Sequence, residues 1–139
     1  GYGQGQILMN PLQLASIYSA FVNNGSIYQP HIVQGQTKTW IKNVFSKETT
    51  KIIKEDLINA IADENGTGHA IYHDNVILAG KTGTAQFDNS DRVHSWFIGY
   101  APYENPQISF CVILEGGYTG VPGAQQVTKA LLDAFFDEY

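Results

Sequence analysis

The chain has 139 residues, 43% hydrophobic and only 15% charged, with a formal net charge of -5. That length suits one domain, residues 1–139 with no internal boundary, and the composition supplies an ordinary core. The eight Lys and Arg are scattered and leave no basic footprint for nucleic acid, and the apolar runs fall far short of the ~20 residues that span a bilayer.

The single cysteine, Cys111, sits in the apolar run 108–114, so it forms no internal disulfide and reads as a small buried residue. No charged segment followed by an apolar one opens the chain. It begins at Gly1-Tyr2-Gly3-Gln4-Gly5 without an initiator Met, as a processed or excised piece would.

In chain order, residues 1–9 read as a glycine-rich loop. Asn10-Pro11-Leu12-Gln13 then supplies an N-cap, a proline at the first helical position and a glutamine three residues past the cap, the pattern of a capping box. Leu12, Ala15, Ser16, Tyr18, Ser19 and Val22 follow at helical spacing, and Asn23-Asn24-Gly25 supplies a left-handed stop. Residues 27–33 are expected extended, with Pro30 excluding a helix, and residues 34–42 form a hairpin or loop around Trp40.

Ser46 caps a second expected helix with Ile52, Ile53, Leu57, Ile61 and Ala62 on its apolar face, ending near Gly66. Gly66-Thr67-Gly68-His69 reads as a plain turn. Backbone N–H groups in such turns can cradle phosphate, but the Gly-x-Gly is too short for a dinucleotide fingerprint and no Walker pattern is present. Residues 76–87, 95–100 and 107–115 read as three consecutive antiparallel strands, separated by the polar loop 88–92 and by Pro102 to Pro106. Residues 116–123 form a loop, and residues 124–139 a closing helix with Val127, Ala130, Leu131, Ala134 and Phe135 facing inward. A sheet of about three strands cannot bury a face alone, so the first and last helices pack on it as an α+β layer.

His69 and His73 stand four apart, but Gly68 and the lack of an intervening Glu argue against a zinc-binding helix, and both read as surface histidines. Asp88 and Asp91 lack the further acidic residues of a calcium loop and read as solvated. Trp96-Phe97 and Phe135-Phe136 read as packing. No metal and no cofactor is expected.

The chemistry-bearing stretch is Val76 to Phe87, an apolar run ending in Lys81-Thr82-Gly83-Thr84. Strand alternation places Thr82 and Thr84 on one face, and Gly83 between them removes a side chain that would keep a ligand from the backbone, so a carboxylate could dock there. A lone Lys-Thr-Gly is common. Here it comes after Gly3-Gln4-Gly5, Pro11-Leu12-Gln13-Leu14-Ala15, Tyr18, Asn24-Gly25 and Pro30, as Ala79-Gly80-Lys81-Thr82-Gly83-Thr84-Ala85-Gln86, and before Trp96-Phe97-Ile98-Gly99-Tyr100-Ala101-Pro102. In this order, over essentially its whole length, the chain resembles the C-terminal part of a class B penicillin-binding protein transpeptidase domain, of the serine D,D-transpeptidase and β-lactamase-like superfamily.

The resemblance implies an incomplete fold of that superfamily and specific roles. Lys81 would fix the substrate carboxylate and tune neighbouring catalytic hydroxyls. Thr82 and Thr84 would bind the carboxylate of a D-Ala-D-Ala stem peptide of peptidoglycan or of a β-lactam, with Gly83 allowing its approach. The Thr84 N–H would donate to the oxyanion, and Gln86 would lie just behind. It also implies action at the extracytoplasmic face of a bacterial membrane and packing against an upstream half of the domain. The family's Ser-x-x-Lys and Ser-x-Asn elements are absent from these 139 residues, and Thr39-Trp40-Ile41-Lys42, the only similar string, stands on the wrong side of the first helix. The chain alone is therefore expected not to acylate, and to expose apolar surface that favours self-association. A non-catalytic β-lactam sensor of the same fold is the alternative, and a β-lactamase-type hydrolase is disfavoured by the Gly-Gln-Gly and Pro-Leu-Gln segments.

Overall fold

A computed structural model describes residues 4–73, 76–86, 89–118 and 123–137. Parts of the expected elements, namely residues 1–3, Phe87, Asp88, the loop residues 119–122 and the last two positions of the closing helix, lie outside the described residues.

Helix α1 (Pro11–Ser19) begins on a complete capping box: the Asn10 side chain accepts from the Gln13 N–H, and the Gln13 side chain accepts from the Asn10 N–H. It stops at Ser19 rather than running on to Val22. The next residues tighten, with Phe21 N–H donating to Tyr18 O and Val22 N–H to Ser19 O. Asn24 and Gly25 then turn left-handed, at φ 52° and 73°. Strands β1 (Ile27–Tyr28) and β2 (Thr39–Ile41) pair antiparallel as a small hairpin. Helix α2 (Lys47–Ala62) is capped by the Ser46 hydroxyl, which accepts from Thr49 N–H, and buries Leu57 and Ile61. After a 3-10 turn (His69–Ile71) come β3 (Ala79–Gln86), β4 (Arg92–Ala101), β5 (Ile108–Tyr118) and helix α3 (Ala124–Asp137).

The three long strands form an antiparallel meander in the order β3-β4-β5, which leaves β3 at an edge. Their bounds differ from the sequence expectation by more than one residue in three places. Residues 76–78 precede the strand, because there Ile77 O receives Tyr103 N–H and Leu78 is buried in the core. β4 starts at Arg92, three residues before Ser95. That early start supplies partners for the far end of β5, so Gly116, Gly117 and Tyr118 are strand rather than loop. Gly116 sits at φ 63° beside the register shift between Val93 and Ser95, and a Cβ there would meet the Arg92 guanidinium at 2.6 Å. A bulge of this kind suits glycine.

Alternate residues of β4 face two separate cores. Phe97 and Ala101 join Phe110, Ile61, Ile71, Leu78, Ala124 and Leu132 on the α3 side. Tyr100 joins Ala79, Phe21 and Leu57, with Tyr18 packed against them, on the α1 side. Helix α2 contributes to both, Leu57 to one and Ile61 to the other. The α+β arrangement of sheet and terminal helices is thus as expected.

The inward face of α3 is not. Ala124, Thr128 and Leu132 are buried and Phe136 packs beside them, while Val127 and Leu131 remain 43% and 42% exposed, and Ala130 and Ala134 are exposed too. The helix is rotated about one position from the apolar stripe. Thr128 turns inward because its hydroxyl donates to Ala124 O at 2.7 Å and so carries no unmet polar group into the core. Cys111 is half-buried, not fully so. His69 and His73 are half-buried too, rather than surface residues: His69 Nδ1 lies 3.0 Å from Ile61 O and its ring stacks on Tyr72, and His73 stands 4.0 Å from the Asp133 carboxylate.

Candidate active site

The stretch that ends in Lys-Thr-Gly-Thr forms β3, the edge of the sheet, so one flank of its backbone has no strand partner among the described residues. Its register is Lys81 opposite Ile98, Thr82 opposite Phe97, Gly83 opposite Trp96, Thr84 opposite Ser95 and Gln86 opposite Val93. Thr82, Thr84 and Gln86 therefore share a face, as the period of two requires, and Lys81 and Gly83 leave the strand on the other.

The Lys81 side chain overcomes that separation by curling round the edge. Its Nζ donates to Thr82 Oγ1 at 3.1 Å, to Thr82 O at 3.2 Å and to Thr67 Oγ1 at 3.0 Å. All three of these acceptors are uncharged oxygens. A full positive charge stands beside the hydroxyl of Thr82 at the open edge, with Thr84 and Gln86 exposed farther along the strand. Such an array can hold an anion, with the ammonium giving the charge and the hydroxyls fixing orientation. At Gly83 a Cβ would come within 3.2 Å of Trp96 Cβ, so packing on β4 is itself a reason for the missing side chain.

Three residues that sequence reasoning left aside complete the frame. Thr67 belongs to the Gly-Thr-Gly turn after α2, 14 residues before the lysine it meets. Gln125 Nε2 donates to Thr67 O at 2.9 Å, and Ser95 Oγ receives Ala124 N–H at 3.0 Å, so the first turn of α3 is tied both to the Thr67 turn and to β4 opposite Thr84. The only advance signal was the pair of glycines flanking Thr67. No group of three or more His, Cys, Asp or Glu able to hold a metal exists among the described residues. A cleft of about 480 Å³ between Phe21, Phe45, Lys51 and Tyr103 is lined by none of the β3 residues.

The α+β layer carries a cationic, hydroxyl-bearing edge strand, and residues 1–133 match the model of the penicillin binding protein transpeptidase domain. The chain belongs to that family. It is 35% identical over 123 residues to penicillin-binding protein 3 of Bacillus subtilis, covering 83% of this chain and 18% of that relative. To the peptidoglycan D,D-transpeptidase MrdA of Haemophilus influenzae it is 28% identical over 164 aligned positions, covering 99% of this chain and 25% of the relative. Among solved structures, the D,D-transpeptidase domain of a peptidoglycan glycosyltransferase from Eggerthella lenta superposes with a TM-score of 0.75 at 29% identity, over 91% of this chain and 32% of that one. Penicillin-binding protein A of M. tuberculosis, solved as an imipenem acyl-enzyme complex, shares the fold with a TM-score of 0.80 at 23% identity over 96% of this chain and 32% of that one. The chain thus spans about a quarter or less of the two curated relatives.

Proposed function

We propose that residues 1–139 are the C-terminal portion of a serine D,D-transpeptidase domain and form one wall of its acyl-transfer site. The observation that carries this reading is the Lys81 ammonium bonded to Thr82 at the free edge of β3. The substrate is a peptidoglycan stem peptide ending in D-Ala-D-Ala, and a β-lactam competes for the same place. Lys81, Thr82 and Thr84 bind the terminal carboxylate, Gly83 leaves the approach open, the Thr84 N–H donates to the developing oxyanion, and Gln86 supports the strand behind it. In acyl transfer a serine oxygen attacks the carbonyl, a tetrahedral oxyanion forms, and the terminal D-Ala leaves an acyl-enzyme for a second stem-peptide amine. Donors aimed at that oxyanion lower the barrier because they are already oriented when charge appears.

The attacking serine belongs to a Ser-x-x-Lys element that these 139 residues do not contain. The site is complete only in the full-length protein, which acts at the extracytoplasmic face of a bacterial membrane. Among the described residues no helix is long and apolar enough to cross a membrane. The test is labelling with fluorescent penicillin of the 139-residue chain beside the full-length protein. Signal is expected only in the second, and a labelled 139-residue chain would overturn the assignment of the nucleophile. Full-length protein that acylates stably but transfers no stem peptide would instead identify a sensor.

A further inference from the structure

We infer that Thr67 is a positioning residue for Lys81, and that the Gly66-Thr67-Gly68 turn exists to present its hydroxyl to the ammonium. This rests on the reading of Lys81 given under Proposed function. A lysine on an exposed edge strand has four flexible bonds, and ordering it costs rotamer entropy that bonds to its own neighbour, Thr82, restrain only from one side. Thr67 Oγ1 is the one partner of the ammonium, among the described residues, that comes from outside β3. It ties Nζ to a second segment of the fold.

The turn is built to be rigid. Gly68 N–H donates to Ala60 O at 2.9 Å, Gly66 N–H to Asp63 O at 2.8 Å and His69 N–H to Gly66 O at 3.1 Å, so the turn is bonded to the end of α2. Both glycines are in close approach: a Cβ at Gly66 would collide with the Ala60 carbonyl oxygen, and one at Gly68 with the Ile61 side chain. Gln125 then holds Thr67 O from α3. Thr67 itself is exposed, yet the backbone that carries it is held by two helices. An exposed threonine in so constrained a turn contributes little to the core, whereas its hydroxyl meets the one cation of the edge strand.

The experiment compares full-length protein with Thr67→Val, Thr67→Ser, Thr67→Ala and Lys81→Ala variants, reading the second-order rate of acylation by fluorescent penicillin together with the melting temperature. Thr67→Val is expected to slow acylation roughly 10- to 100-fold, the effect of losing a hydrogen bond to a charged group, with an unchanged melting temperature. Thr67→Ser, which keeps the hydroxyl, restores most of the rate, and Thr67→Ala stands in as the hydroxyl-free variant should the valine not fold. Wild-type rates in Thr67→Val and Thr67→Ala beside a slow Lys81→Ala overturn the inference alone. Equal losses in Thr67→Ser and Thr67→Val, with lowered melting temperatures, also overturn it by reducing the turn to a structural role. A wild-type rate in Lys81→Ala removes the reading of the site on which it rests.

Discussion

Lys81 and Thr84 sit three apart on one strand and are expected to fail differently. Lys81→Ala removes the only full charge of the Lys-Thr-Gly-Thr stretch and is expected to lower the acylation rate of the full-length protein by about 10²-fold or more. Thr84→Val keeps the shape and the backbone N–H but loses a hydroxyl, so its expected loss is smaller, about tenfold. Stopped-flow or gel-based labelling across β-lactam concentrations checks both, and the reverse ranking would contradict the assignment of charge and hydrogen bonding made for them. Cys111 gives a pH-dependent counterpart. Burial pushes its thiol from an ordinary 9.0 up to about 11, so the native protein holds it neutral while the unfolded chain ionises first. Its contribution to stability is therefore complete below about pH 9 and is lost as the pH rises towards about 11. Slow modification by a thiol reagent at pH 8, accelerating on denaturation, is the expected result.

At the scale of elements, α1 and α3 show how far local pattern reaches. The Asn10-Pro11-Leu12-Gln13 signature foretold the start of α1 because a cap is closed by residues three apart, within reach of local sequence. Asn10→Ala should accordingly cost about 1 kcal/mol. The inward face of α3 was not legible, because Val127, Ala130, Leu131 and Ala134 form as good an apolar stripe as the one actually buried, and only the sheet decides between them. Truncating adjacent leucines separates the two faces. Leu132→Ala, 4% exposed in the core, is expected to destabilise by about 2–5 kcal/mol, and Leu131→Ala by much less, as measured by denaturant unfolding. Equal costs would mean that the outer stripe is also covered.

On the scale of the whole molecule, that outer stripe matters together with Ile7, Leu8 and Leu12, which are 82%, 92% and 61% exposed. The chain covers 32% of the Eggerthella lenta chain that it superposes on, and exposed apolar side chains of this kind favour association. Residues 1–139 expressed alone are expected to self-associate as concentration rises. Light scattering that gives a monomer mass at every concentration would show that these surfaces tolerate water.

Local sequence was enough for the capped starts of α1 and α2 and for the Lys-Thr-Gly-Thr stretch, since each depends on residues a few positions apart. It also carried the family, through motifs whose order survives without any contact being known. Packing across the fold set which face of α3 is buried, where β4 and β5 begin and end, and that Thr67 reaches Lys81 on the edge strand while Gln125 reaches Thr67. Those depend on residues that meet across the fold, Thr67 with Lys81 and Gln125 with Thr67, and no periodicity along the chain records which distant partner a side chain will find.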